Sequence, residues 1–189
     1  GRGIPSGSSF RSTGFAVAGK NIALTDSNFQ VTVFNTETSD LTTVSLDDVR
    51  LASIPVGARE AGHMQADGQY VVTINEETEV ADGFIIKVID VTSGLPSVIP
   101  FTNNPTSAAE QIQMVSVNAE TGLVVAASST SFFVYDINDP TAVPTEFPAD
   151  ANGIGDAQIA FDGNHSIYQD DSGQPNTKIL ATATGAITT

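Results

Sequence analysis

The chain of 189 residues contains no cysteine and no tryptophan. Without cysteine there is no disulfide framework, no thiol nucleophile, no Cys-ligated zinc and no iron–sulfur cluster. Basic residues are scarce: 7 Lys and Arg stand against 22 Asp and Glu, a net charge of −15. Binding nucleic acid requires Lys and Arg to replace the counterions released from phosphates, so this balance argues against such a partner. It argues equally against an anionic membrane surface. No apolar run approaches the ~18–20 residues of a membrane-spanning helix. Histidine occurs only at 63 and 165, and no G-x-S-x-G elbow, H-E-x-x-H helix, P-loop or G-x-G-x-x-G turn is found. The chain begins Gly1-Arg2-Gly3 without a signal peptide and reads as a processed product or a piece of a longer chain.

Apolar residues make up 40% of the sequence, enough for a packed core and too many for a disordered acidic tail. The strong negative charge favours solubility, cations or a saline medium that screens self-repulsion. The 21 threonines, the many Val and Ile, and apolar runs of 4–7 residues read as β-structure. Such runs include Val31–Phe34, Tyr70–Ile74, Phe84–Ile89, Leu123–Ala127, Phe132–Tyr135 and Lys178–Ala181. Turn signals separate them, among them Gly19-Lys20-Asn21, Asp67-Gly68-Gln69, Glu120-Thr121-Gly122 and Asp162-Gly163-Asn164. The only helix-like stretch is Ser107–Gln113, read as a short helical turn, an irregular loop or a helix.

One pattern recurs: an apolar strand, a turn, a second strand, a polar turn, and a third strand ending in Asp or Asn. Third strands end at Asn35, Asp90 and Asp136, spaced 55 and 46 residues, and a fourth copy spans Thr177–Ala183. A period of this length with three or four strands per unit is that of a propeller blade, which cannot bury its sheet alone and must stack on neighbours. The expected fold is therefore all-β: one propeller-like domain over 1–189, with about four blades near 14–60, 61–110, 111–156 and 157–189.

The stretch Ala23–Thr38 resembles the YVTN-type β-propeller repeat: strand, short polar turn, a V-x-V-I-D-like strand, then a T-G or T-N turn. Ile54-Pro55-Val56-Gly57, followed by Asp67-Gly68-Gln69-Tyr70-Val71-Val72-Thr73-Ile74-Asn75, is similar to its second half, and Lys87–Gly94 repeats the first. The likeness is best over 14–94. It implies an extracytoplasmic or surface propeller, often of seven blades, whereas ~45 residues per blade leave room for four here. Three architectures stay open: part of a larger propeller, a complete four-bladed ring, or a half-ring that pairs into eight blades. Ser8–Ser12 is a candidate closing strand, with Ala186–Thr189 as its neighbour. With no tryptophan, the WD dipeptide of WD40 repeats is absent.

In a propeller, ligands sit at a channel mouth lined by the first strands. Aligning the units brings His63, Gln113 and Gln158 to equivalent positions, with Glu60, Glu110 and Asp156 just before them and Arg59 beside Glu60. That is an acidic mouth with one imidazole, able to hold a divalent cation or to consist of solvated loop residues. A second acidic group comprises Asp162, Asn164, Asp170 and Asp171, oxygen donors on turns that suit Ca²⁺ but miss the EF-hand spacing. Asp150-Ala151-Asn152-Gly153 starts that pattern and then supplies no ligands. The bland reading is that Asp and Asn at turns bond their own backbone. Asn35, Asp90 and Asp136 are read as such caps. Asn164-His165-Ser166 is a formal glycosylation sequon.

Lactonases similar to this repeat family hold a metal or a His/Glu/Arg set at the mouth, for which Arg59, Glu60 and His63 are the matching residue types. Two functions are weighed. The leading one is a non-enzymatic extracellular, cell-surface or periplasmic module that binds protein, glycan or cation, or self-associates to complete a propeller, with no nucleic acid and no membrane insertion. The alternative is a lactonase- or esterase-type propeller hydrolase with a metal at the channel mouth. No cofactor is expected beyond Ca²⁺ or another divalent cation.

Overall fold

A computed structural model describes residues 15–25, 31–44, 50–51, 64–76, 84–92, 96–99, 101, 112, 114–155, 159–172, 174 and 176–189. Among these residues every regular element is a strand, and the strands form four antiparallel sheets. The first sheet runs β1 (Phe15–Ala18), β2 (Asn21–Thr25), β3 (Val31–Asn35) and β4 (Leu41–Val44). The second comprises β5 (Arg50–Leu51), β6 (Met64–Asp67), β7 (Tyr70–Glu76), β8 (Phe84–Asp90) and β9 (Ser97–Ile99). The third is β10 (Met114–Asn118), β11 (Leu123–Ala127), β12 (Ser131–Asp136) and β13 (Thr145–Pro148). The fourth is β14 (Ala160–Phe161), β15 (His165–Gln169), β16 (Thr177–Ala181) and β17 (Ala186–Thr188). Four meandering sheets in series are the propeller-like, four-bladed arrangement that the repeat predicts.

The predicted first, second and third strands match β1–β3, β6–β8, β10–β12 and β14–β16 to within a few residues. Each sheet also has an outer strand. The second takes in Arg50–Leu51 as well, which the spacing had placed in the first unit. The cause is length: β6 covers β7 only from Tyr70 to Thr73, and β5 pairs with Asn75 and Glu76 farther along the same edge. Ala186–Thr188 pairs with β16 inside its own sheet, and Ser8–Ser12 and 107–111 lie outside the described residues.

Neighbouring residues on a strand face opposite sides of the sheet, so an inner blade must bury both. In β7, Val71 enters the core shared by the first two sheets, while Val72 enters the core shared by the second and third. In β11, Val124 packs toward the second sheet and Val125 toward the fourth. All four are fully buried. Three apolar seams result. The first joins Ala23, Val31 and Val33 to Met64, Val71 and Ile89. The second joins Ile74, Ile86 and Val88 to Val115, Val117 and Tyr135. The third joins Met114, Val125 and Phe132 to Ile159, Tyr168 and Leu180. Edge-on ring pairs span two of them: Phe101 with Tyr135 at 5.4 Å and Phe132 with Tyr168 at 4.8 Å. Each large side chain buried this way contributes ~1.5–3 kcal/mol.

The first strands β1, β6, β10 and β14 follow one another side by side, and no comparable contact joins β14 back to β1 among the described residues. Among the described residues the ring is not closed.

The turns after these first strands interlock between blades. The Asp67 carboxylate accepts a hydrogen bond from the backbone N–H of Ala119 at 2.8 Å. Gly163 holds φ at +97°, and a Cβ there would lie 2.6 Å from Thr121 Cγ2 and 2.9 Å from Asn118 Oδ1. At Gly19 (φ +57°) the nearest atom to such a Cβ is 3.6 Å away. Gly163→Ala therefore combines a left-handed backbone with a clash against the third blade and should cost roughly 2–3 kcal/mol. Gly19→Ala bears only the backbone term, about 1 kcal/mol. Chemical denaturation of both variants checks this; equal losses would remove the interlocking role of the turn.

Candidate functional site

Of the channel-mouth residues, Arg59, Glu60, His63, Glu110, Gln113, Asp156 and Gln158 all lie outside the described residues. The second acidic group is described, and the structure does not bring it together. Asp162 and Asn164 form the turn before β15, while Asp170 and Asp171 follow it, so the five-residue strand His165–Gln169 separates the pairs.

At the first end, Asp162 is exposed, and its Oδ1 accepts the backbone N–H groups of Asn164 at 2.8 Å and His165 at 2.6 Å. Those two N–H groups hold its carboxyl below the usual range. The imidazole Nδ1 of His165 lies 3.4 Å from Asp162 Oδ2. The Asn164 carbonyl accepts both the N–H and the hydroxyl of Thr182. Ser166 of the sequon is buried on β15. This is a turn knotted to itself, as at the third-strand ends. There Asn35 Oδ1 accepts the N–H groups of Glu37 and Thr38, Asp90 accepts the N–H and hydroxyl of Thr92, and Asp136 accepts the N–H of Asn138.

At the other end the chemistry differs. Asp170 is buried, 1% exposed, and its Oδ1 accepts the Ser172 hydroxyl at 2.7 Å and the Asn176 N–H at 2.9 Å. Its Oδ2 faces the side-chain amide of Asn152 at 3.3 Å and the Lys178 ammonium at 3.7 Å. Lys178 also meets Asp150 at 3.1 Å. The N–H of Asn176, then the Ser172 hydroxyl, hold the Asp170 carboxyl well below the ordinary range despite burial. The Tyr168 phenol is pushed up to about 12, first by burial and then by the charges on Asp150 and Asp170. Lys178 supplies the positive charge between the two carboxylates, so this cluster is an ion-paired clasp tying the β15–β16 hairpin to the loop after β13. Asp171 is exposed. Among the described residues no three Asp, Glu or His side chains converge where a metal ion would sit.

Sequence reasoning missed a different feature, the apolar end faces. Phe15, Val17 and Leu41 of the first sheet are 67%, 55% and 51% exposed, and Ile167 and Ile179 of the fourth are 45% and 36% exposed. Cross-strand register places Val17, Ile22, Phe34 and Leu41 in one row and Phe15 and Leu24 in the next, on the side of the first sheet away from the second. On the outer side of the fourth sheet, Ile167, Ile179, Ala181 and Ala186 line a shallow cavity of about 450 Å³ rimmed by Asp162 and His165. The signal was available: these residues alternate with the core positions of their own strands.

No family model and no curated protein matches the chain. Among solved structures it is similar to the computationally designed Ika4 protein, with a TM-score of 0.57, 12% identity, and coverage of 93% of this chain and 94% of that one. That likeness concerns the fold, and the YVTN-type resemblance gains no support from it.

The Asp170 clasp makes stability depend on pH with a defined sign. A carboxylate whose folded pKa is depressed stabilises the fold above its unfolded value of about 3.9 and loses that contribution as pH falls below it. Asp170→Asn should lower Tm at pH 7 by roughly 4–8 °C. It should also flatten the fall in Tm between pH 5 and pH 3. Calorimetry at the three pH values measures this; a variant with an unchanged acid slope would show that Asp170 titrates elsewhere.

Proposed function

We propose that the chain is a non-enzymatic propeller module of an extracellular or surface protein, and that it works by docking other protein surface on the apolar faces of its end blades. The observation that carries this reading is the pair of exposed faces, with Phe15, Val17 and Leu41 at one end and Ile167 and Ile179 at the other. Contiguous exposed apolar surface on a soluble domain marks an interaction site. The acidic balance supports an outside, saline setting, where like-charge repulsion between partners is screened.

The reading separates docking from folding. Serine at Phe15, Leu41 and Ile167 should change Tm by less than about 2–3 °C, because little burial is lost. The fluorescence of bis-ANS bound to the wild-type chain at submicromolar concentration should fall at least twofold in that triple variant. Unchanged dye binding, or a collapse of Tm, would show that these side chains are not the free surface of the module.

A further inference from the structure

The three internal seams share one polarity: the side of a blade facing later blades packs on the side of the next that faces earlier ones. Counting back from the turn after each first strand, Phe15 and Val17 correspond to Met64 and Ala66, to Val115 and Val117, and to Ile159 and Phe161. Met64, Val115, Val117 and Ile159 are 5% exposed or less, whereas Phe15 is 67% exposed. On the second and third strands, Ile167 and Ile179 correspond to Ala23 and Val33, to Val72 and Val88, and to Val125 and Val134. Those pairs sit inside the seams, while Ile167 and Ile179 stand open. One chain therefore carries both halves of a fourth seam, unjoined, at opposite ends of its stack.

We infer that the occupant of each end face is the opposite end face of a second copy of this chain, so that two copies close on each other through two equivalent seams. The inference rests on the docking role proposed above and names its partner. Charge supports self-association. The chain holds 22 acidic residues, yet β1–β4 and β14–β17 contain no Asp or Glu. Of the two basic side chains on those eight strands, His165 lies 3.4 Å from Asp162 and Lys178 is engaged with Asp150 and Asp170. Two copies of net charge −15 can thus bring these strands together with no carboxylate on either set, Asp162 standing at the rim of the fourth sheet's face beside His165. The seams themselves continue the packing found inside the chain. Two formed at once bury twice the apolar surface of one, which is what a stable pair needs. A closed pair leaves no end face exposed, unlike an open head-to-tail series.

Analytical ultracentrifugation of the 189-residue chain should show about 39 kDa, twice its 19.6 kDa, at micromolar concentration. Raising salt from about 0.02 to 0.5 M should tighten the pairing, since the remaining charge repels. Val17→Glu and Ile167→Glu should each sediment as a folded monomer by circular dichroism, while Val143→Glu, exposed and outside the seams, stays paired. An equimolar mixture of the Val17 and Ile167 variants keeps one intact seam and should recover a pair at least tenfold weaker than wild type. A wild-type monomer at 100 µM, an open-ended size series, or variants that still pair would overturn the inference. A wild-type monomer that still binds bis-ANS through Val17 and Ile167 would overturn only the second copy and leave the docking role standing. A monomer that binds no dye would overturn both.

Discussion

Everything in this molecule depends on sheets that are apolar on both sides. Val71 and Val72, or Val124 and Val125, are adjacent in sequence and point into different cores. A sheet built this way has no solvent side, and its stable solution is to stand between two others. The order of the blades, the three seams and the exposed ends all follow from that condition. The outer strands, such as Thr145–Pro148, escape it, and they are short and largely exposed.

Polar groups do local work within this frame. Carboxylates and amides at Asn35, Asp90, Asp136 and Asp162 tie down turns by accepting backbone N–H groups, which fixes where a strand stops without adding to the core. The Asp150–Lys178–Asp170 clasp goes further, because it spans two loops and holds the Asp170 carboxylate out of water. Its position beside Tyr168, whose ring packs on Phe132, couples a charged network to the third seam. Part of the acidic excess is therefore architecture, and its absence from the end strands is the informative part.

The repeat was legible because strand spacing and turn chemistry are local properties. Asn21–Thr25, Val31–Asn35 and Leu123–Ala127 could be bounded from apolar runs and the Gly or Asp beside them. The outer strands were not, since Leu41–Val44 and Thr145–Pro148 carry no apolar run of their own and are fixed by the neighbouring backbone that pairs with them. Grouping Asp162 with Asp170 failed for a related reason: closeness in sequence was taken for closeness in space, and an extended strand between them carries the two turns apart. Lys178 could not be tied to Asp150 in advance because that contact depends on how a later strand lies against an earlier loop. The open faces needed one more step, comparing the parity of Phe15 and Val17 with that of Met64 and Ala66.

Because the strand contacts between blades described here join sequence neighbours, the stack behaves as a one-dimensional array. Such an array lengthens or shortens in whole units. An in-frame duplication of one ~45-residue blade inserts a new sheet between two seams of matching polarity and leaves every other seam as it was. A deletion of half a blade would instead expose two mismatched faces at once.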